Sequence, residues 1–249
     1  MDTFQNAPHF HLHEVDSTNN YASKLLKLPN SRNKTAITAD SQLFGKGQRG
    51  KSWISDPGKN FQGTFIIQTE LDSQLIFMLS KWVAWNVIQV LKQYEIAECQ
   101  IKWPNDIYIG EAKVGGILIE NQWQGNNLMA SLVGLGVNIA SAPLVYNQLV
   151  TYLNMHSQMS LTPTIFFEDL KKSFDKTWHL LTQNYHEQLK MLYHAELWGK
   201  NGKQLTWILP NSTQSFQGTI YQVHSDGAIE IEFENKERKK YYHGEIFKK

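Results

Sequence analysis

Lys102-Trp103-Pro104-Asn105-Asp106, followed by Lys113-Val114-Gly115-Gly116-Ile117-Leu118-Ile119-Glu120, is the stretch that decides how this chain folds. An apolar strand over Glu98 to Lys102 runs into a corner fixed by Pro104, which sets its own φ and holds Trp103 extended. Asn105 and Asp106 project polar groups at that corner, where strand ends commonly carry function. Ile107-Tyr108-Ile109 and Val114 to Ile119 flank Gly110-Glu111-Ala112 as a hairpin. Lys102, Asn105, Asp106 and Lys113 thus gather on one rigid hairpin: two cations, an amide and a carboxylate. Gly115-Gly116 leaves bare backbone beside them, so a ligand can approach closely. Spacing alone is equally compatible with a solvated, charged hairpin end.

The chain has 249 residues, 41% of them hydrophobic and only 19% charged, which gives a sizeable core and excludes a disordered chain. The net charge of +1 argues against a broad nucleic-acid surface. Cys99 is the sole cysteine, so no internal disulfide forms, and it reads as a small buried hydrophobe. No apolar run reaches the roughly 20 residues that span a bilayer, and Met1 to Val15 lacks a signal-peptide apolar region. A cytoplasmic enzyme is the expectation, without internal repeats or low-complexity tracts.

Upstream of the hairpin, His9 to Val15 alternates as a half-buried strand with His9, His11 and His13 on one face. Three histidines at period two raise the thought of a metal, but no carboxylate or cysteine pattern accompanies them, and an exposed face is the simpler reading. Asp16-Ser17-Thr18-Asn19 opens a helix to about Leu28 with Ser17 as N-cap, and Pro29 stops it. Thr35 to Ser41 is a strand. Gly45 to Trp53 then places three glycines and three cations in nine residues. Glycines let amides point at phosphate, cations supply charge, and an indole stacks on a base. The spacing is not that of a P-loop.

Phe61 to Glu70 reads as a strand. Gln74 to Tyr94 reads as a long helix whose narrow polar stripe runs through Gln74, Lys81 and Lys92, with Met78, Trp82 and Trp85 in the core. Gln122 to Asn127 forms a turn, and Leu128 to Asn138 a strand ending Gly134-Leu135-Gly136-Val137-Asn138. Ala140 to Ser160 is a loop with a short helix. Thr162-Pro163 fits an N-cap followed by N1, opening helices from about Ile165 to Leu197 with a break near Asn184. From Gly199 short strands take over: Lys203 to Leu209, Ser215 to Val223, Ala228 to Glu234 and Arg238 to His243, with turns at Pro210-Asn211, Ser225 to Gly227 and Glu234 to Lys236. These make a small SH3-like β-barrel, and the charged run Lys236 to Lys240 is a solvated turn.

Four segments, in order, resemble the biotin–protein ligases, also called biotin–[acetyl-CoA-carboxylase] ligases. They are Asp16-Ser17-Thr18-Asn19, the loop Gly45 to Trp53, Lys102 to Asp106 with Lys113-x-x-Gly116-Ile117-Leu118, and Gly134 to Asn138; Gly244-Glu245-Ile246 fits the C-terminal unit as well. The resemblance covers essentially the whole chain. It implies an α+β fold of the class II synthetase type, with a mixed sheet and packed helices over residues 1–197 and an SH3-like barrel over 198–249. It also implies two steps: biotin and ATP with Mg²⁺ give biotinyl-5′-AMP, and a lysine of a biotin carboxyl carrier domain then takes the biotin.

Carried onto matching positions, the resemblance implies biotin contacts from Ser17, Thr18, Asn19, Gln42, Lys46, Gly47, Gln48, Lys113 and Gly116. It implies nucleotide contacts from Lys46, Arg49, Lys51, Trp53, Asn105 and Asn138, and a catalytic set of Lys113, Lys102, Asp106 and Arg49, with no residue assigned directly to a metal. Lys113 would hold the carboxylate, Lys46, Arg49 and Lys51 would face the phosphates, and Asp106 would orient or deprotonate the incoming lysine. Two departures stand out. Lys46 and Gln48 replace the arginines of the family's Gly-Arg-Gly-Arg-x-Gly loop, and the glutamine amide is expected to hold the adenylate less tightly. The first catalytic strand begins within about ten residues of Met1, leaving no room for the winged helix-turn-helix of repressor-type relatives, so no DNA partner is expected. Monomer and sheet-edge homodimer both fit, and lipoate ligation and a non-catalytic sensor are the rival readings.

Overall fold

The computed structural model describes residues 3–29, 31–68, 75–145, 148–183, 185–199, 202–210 and 214–248. Glu70, Gln74, Asn184 and Asn211, which mark expected element ends and breaks, lie outside them. A seven-stranded mixed sheet forms the frame, in the order β1 (His9–Val15), β2 (Ala36–Gln42), β3 (Phe61–Ile67), β7 (Asn127–Val137), β6 (Ala112–Gln124), β5 (Asp106–Ile109), β4 (Cys99–Lys102). Only the β1–β2 pair is parallel; the other pairs run antiparallel.

Helices cover both faces. On one, α1 (Thr18–Leu26) seats Ala22 against Ile37, Ile66, Ala130 and Leu132. On the other lie α2 (Ile76–Gln93), α3 (Pro163–Thr182) and α4 (His186–Ala195). Trp82 and Phe174 stack there at 4.3 Å, with Phe4 wedged 5.1 Å from Phe174. Truncating such a ring to alanine typically costs about 3–5 kcal/mol. With helices on both sides, β3 is buried along its entire length.

Local signals explain the helix ends. Thr162 caps α3 through Ile165 N–H, 3.2 Å from its hydroxyl oxygen, and Pro163 takes the first turn, so α3 begins two residues before the expected Ile165. Ser17 does sit at the N-cap of α1, but its hydroxyl makes no capping bond, contrary to expectation. Among other corrections, the Gln122 to Asn127 turn shrinks to Gly125 and Asn126, because β6 and β7 extend their pairing to Gln124 and Asn127. Lys81, expected on the polar stripe of α2, is fully buried. The Trp103–Pro104 peptide is cis.

The C-terminal residues form a second antiparallel sheet, β11 (Arg238–Tyr241), β10 (Ile229–Glu232), β9 (Ser215–Val223), β8 (Leu205–Ile208), β12 (Phe247–Lys248). This corrects the SH3-like barrel: β11 and β12 are its two edges and do not pair among the described residues. Strand β12 had no counterpart in the sequence reading. Trp198, Leu205, Trp207, Ile229 and Ile231 of this region join the same apolar core as Trp82 and Leu135. The run Lys236 to Lys240 is exposed. No described helix is long and apolar enough to cross a membrane.

Candidate active site

A cavity of about 1330 Å³ opens on the α1 face of the large sheet and is roofed by the second sheet. It brings together every site residue expected from the sequence: Ser17, Thr18 and Asn19, Gln42, the loop residues Lys46 to Lys51 other than Gly50, Trp53, Lys102, Asn105, Asp106, Lys113, Gly116 and Asn138.

At one end a hydrogen-bonded polar network forms the wall. The side-chain oxygen of Gln42 accepts from the Thr18 backbone N–H (2.8 Å) and lies 3.1 Å from the Thr18 hydroxyl. The Gln42 amide donates to Gln62 at 2.9 Å. Thr64 Oγ1 lies 2.8 Å from Thr18 Oγ1 and 2.6 Å from Asn19 Oδ1, and the Asn19 amide donates to Glu120 at 2.7 Å. Asn19 rests on Gly134, where an added Cβ would collide with its amide oxygen. Gln62 and Thr64 are buried, and the sequence reading missed both along with Glu120. The signal was there: Gln62 and Thr64 sit two apart on a strand otherwise apolar, which marks one polar face.

At the floor, Lys113 Nζ is 2.6 Å from Asp106 Oδ1, each side chain about one-fifth to one-quarter exposed. The hairpin makes the pair, because β5 aligns Asp106 with Gly116 and Tyr108 with Lys113. A Cβ on Gly116 would lie 3.5 Å from Lys113 Nζ, so the pair lies directly over this glycine. The backbone of Lys113 is also pinned from outside the hairpin, by Lys113 N–H to Leu149 O and Thr151 N–H to Lys113 O, both 2.9 Å. The 148–151 segment had carried no site signal. Lys102 points its ammonium to the Tyr108 hydroxyl at 3.2 Å and over the Tyr108 ring at 4.5 Å. Burial pulls the Lys102 ammonium below the usual lysine range, against Asp106 and Glu111.

The glycine-rich loop folds on itself through Gly47 N–H to Lys51 O (2.7 Å) and Trp53 N–H to Gly45 O (2.8 Å). Lys46 turns toward α1, with Nζ 2.6 Å from Asn20 Oδ1 and 3.8 Å from Glu120. Arg49 and Lys51 are exposed at the rim. Trp53 lies flat on Gly136, where any Cβ would strike the indole. Asn105 donates to Ile117 O at 2.8 Å and Asn138 to Thr151 O at 3.0 Å, so each holds a neighbouring strand or segment as well as facing the cavity.

Three buried polar atoms on this cavity have no hydrogen-bond partner among the described residues: Gln48 Oε1, Trp53 Nε1 and Asn138 Oδ1. Such groups each carry a desolvation cost of about 1–3 kcal/mol unless something bonds them. A ligand rich in donors and acceptors fits them. No described cluster of His, Cys, Asp or Glu forms a metal cage. His9 and His11 bond Thr38, and His11 and His13 each lie 3.2 Å from Asp40, and none of them lines the cavity.

The second sheet contributes a turn, next to the Gly244-Glu245-Ile246 that fitted the C-terminal unit to the family, which carried no site expectation. His243 stands edge-on to Trp103, ring centroids 6.0 Å apart, and Gly244 lies under the Arg49 guanidinium. Trp103 Nε1 donates to Gly227 O at 3.0 Å, tying the hairpin corner to the same sheet.

The model of the biotin/lipoate A/B protein ligase family matches residues 12–138. A biotin–[acetyl-CoA-carboxylase] ligase of Paracoccus denitrificans is 36% identical over 134 residues, 53% of this chain and 55% of that protein, so the match spans little more than half of that relative. The bifunctional ligase/repressor BirA of Bacillus subtilis is 24% identical over 242 residues, 96% of this chain and 73% of that one. In fold, the chain is similar to the biotin protein ligase from Aquifex aeolicus solved in complex with biotin and ATP, with a TM-score of 0.77 over 97% of this chain and 98% of that one at 22% identity.

Proposed function

The chain belongs to the biotin/lipoate A/B protein ligase family, and from that premise we propose that it is a biotin–protein ligase acting on a biotin carboxyl carrier domain. The biotin carboxylate attacks the α-phosphate of ATP, giving biotinyl-5′-AMP and pyrophosphate. A lysine of the carrier then takes the biotinyl group and AMP leaves. One observation carries this reading: the Lys113–Asp106 pair shares one cavity with the polar groups of Ser17, Thr18, Asn19 and Gln42 and with the loop cations Lys46, Arg49 and Lys51. A ureido ring needs neutral donors and acceptors, a carboxylate an ammonium, and a triphosphate cations. The cavity offers all three.

Binding lets Lys113 trade Asp106 for the biotin carboxylate and later for the acyl phosphate. Gln42, Thr18, Ser17 and Asn19 hold the ureido end, Gly116 keeps the floor open, and Lys46, Gly47 and Gln48 border the chain. Arg49, Lys51 and Lys102 neutralise charge that develops on phosphate oxygens, which is the main task in phosphoryl and acyl phosphate chemistry. Trp53 and Asn138 offer their unpartnered N–H and C=O to the nucleotide, with Asn105 beside them. Mg²⁺ accompanying ATP would supply charge neutralisation on the triphosphate, and Asn105 and Asn138 would be the side-chain oxygen groups able to hold it. Residues 198–249 act as a unit that closes the site. The buried, unpaired Cys99, whose thiol burial pushes up to about 12, suits a cytoplasmic location.

The test is to incubate the purified protein with biotin, ATP and Mg²⁺, with and without a carrier domain, and to run lipoate in parallel. Biotin-dependent pyrophosphate release and biotinylated carrier are expected. Lys113→Ala should lower pyrophosphate release about 10- to 150-fold, the equivalent of roughly 1.5–3 kcal/mol for a charge-assisted bond. Turnover of lipoate but not biotin, or a Lys113→Ala rate within about threefold of wild type, overturns the assignment.

A further inference from the structure

We propose that His243, on the turn between β11 and β12, is the base that removes the proton from the acceptor lysine in the transfer step. The inference rests on the ligase reading and deepens it. A lysine attacks an acyl phosphate only as the neutral amine, so a ligase needs a proton acceptor at the mouth of its cavity. Asp106 pairs with the Lys113 ammonium at 2.6 Å in this structure, and once Lys113 turns to the acyl phosphate it leaves a carboxylate, as a class a weaker base at neutral pH than an imidazole. Lys46, Arg49, Lys51, Lys102, Lys113 and Lys248 on these walls are cations, and the remaining wall carboxylate, Glu111, lies 3.6 Å from Lys248 Nζ.

His243 is a neutral imidazole in the right place. It lines the same cavity, edge-on to Trp103 of the hairpin corner, and its own turn lies against Arg49 of the loop. Its ring makes no hydrogen bond among the described residues. The groups that face it are Arg49 and Lys51 from the loop and Asp106 from β5; on its own turn, Glu245 is turned back to the Tyr242 N–H at 2.7 Å. Burial first, and then Arg49 and Lys51, hold the imidazolium below the usual histidine range, while Asp106 pulls the other way. The ring is therefore unprotonated at neutral pH, as a base must be, and Asp106 is placed to stabilise the cation once it has taken a proton.

The step balances without another reactant. The lysine ammonium gives one proton to His243, and its nitrogen lone pair attacks the acyl carbon. The C–N bond forms, the C–O bond to phosphate breaks with its electron pair going to AMP, and the nitrogen's remaining extra proton leaves with the phosphate. His243 then returns its proton to water.

The experiment compares His243→Gln, and His243→Asn beside it, with wild type in three readouts: pyrophosphate release, transfer to a biotin carboxyl carrier domain from pH 6 to 10, and discharge of the bound adenylate by hydroxylamine. Hydroxylamine is already unprotonated at pH 7 and needs no base. Both variants should release pyrophosphate within about threefold of wild type and discharge to hydroxylamine normally. Transfer to lysine at pH 7 should fall about 100-fold or more, the lower range for a positioned base, with the gap narrowing as the lysine loses its own proton at high pH. Transfer within about threefold of wild type across the range overturns the proposal. So does a matching loss with hydroxylamine, which would mean a misplaced adenylate. Wild type that releases no pyrophosphate with biotin removes the ligase reading itself, a result distinct from either.

Discussion

Lys81→Met takes a buried ammonium out of the seam between α2 and the second sheet. Lys81 is fully buried, and its Nζ donates to the backbone oxygen of Val223 on β9. It lies 5.4 Å from the centroid of Tyr193 and 6.0 Å from that of Phe77, and no described carboxylate pairs with it at ion-pair distance. Burial pushes this ammonium down to about 7; Lys190 adds repulsion, and Asp226 and Glu187 oppose it. In the unfolded chain the same group keeps its proton up to about 10.4. Between these values the unfolded chain binds more protons than the folded one, so stability rises with pH, by at most about 1.4 kcal/mol per pH unit. From pH 6 to pH 9 the integral is about 2–3 kcal/mol. Methionine, similar in length, has no such dependence. Urea unfolding of both proteins at the two pH values should therefore show wild type gaining about 2–3 kcal/mol on Lys81→Met as pH rises, since other titrating groups cancel in the difference. A difference constant within about 0.5 kcal/mol would mean that Lys81 stays charged at pH 9 and that the seam is wetter than its burial states.

Two further outcomes are expected. Gly136→Val should drive the Trp53 indole off the strand and raise the KM for ATP about tenfold, since overpacking of this kind costs about 1–3 kcal/mol; an ATP KM within about threefold of wild type would separate Trp53 from the nucleotide. Biotin with ATP should slow tryptic cleavage at Lys46, Arg49 and Lys51, which lie on an exposed loop closed on itself by few backbone bonds; equal cleavage with and without ligand would show that the loop is not ordered by them.

The elements that the sequence made legible share a property: each carries its own local cause. Thr162-Pro163 starts a helix wherever it stands, Gly115-Gly116 bares a strand, and Lys102 to Asp106 turns a corner. The site residues on those motifs converge on one cavity because the sheet order brings β6 beside β7 and β5, and that order is not written in any single segment. What escaped depends on partners far along the chain. Gln62 and Thr64 look like isolated polar residues in an apolar strand until Thr18 and Gln42 arrive from α1 and β2 to bond them. Lys81 looks like a solvent-facing stripe because a helix exposes one face unless a second sheet covers it; the cover here is β9, about 140 residues later. The barrel expectation failed for the same reason, since strand count and spacing do not say whether the two edges meet.

Three ties between the two sheets share one form. Lys81 to Val223 O, Trp103 Nε1 to Gly227 O and the Arg49 guanidinium over Gly244 all set a side chain of the catalytic unit against bare backbone of the second sheet. Side chains of the second sheet add to these ties: Leu205, Trp207, Ile229 and Ile231 enter the common core, and Lys248 Nζ lies 3.6 Å from Glu111 on the hairpin. Together these contacts bring His243 beside Trp103 and make the second sheet part of the cavity wall rather than an appendage to it.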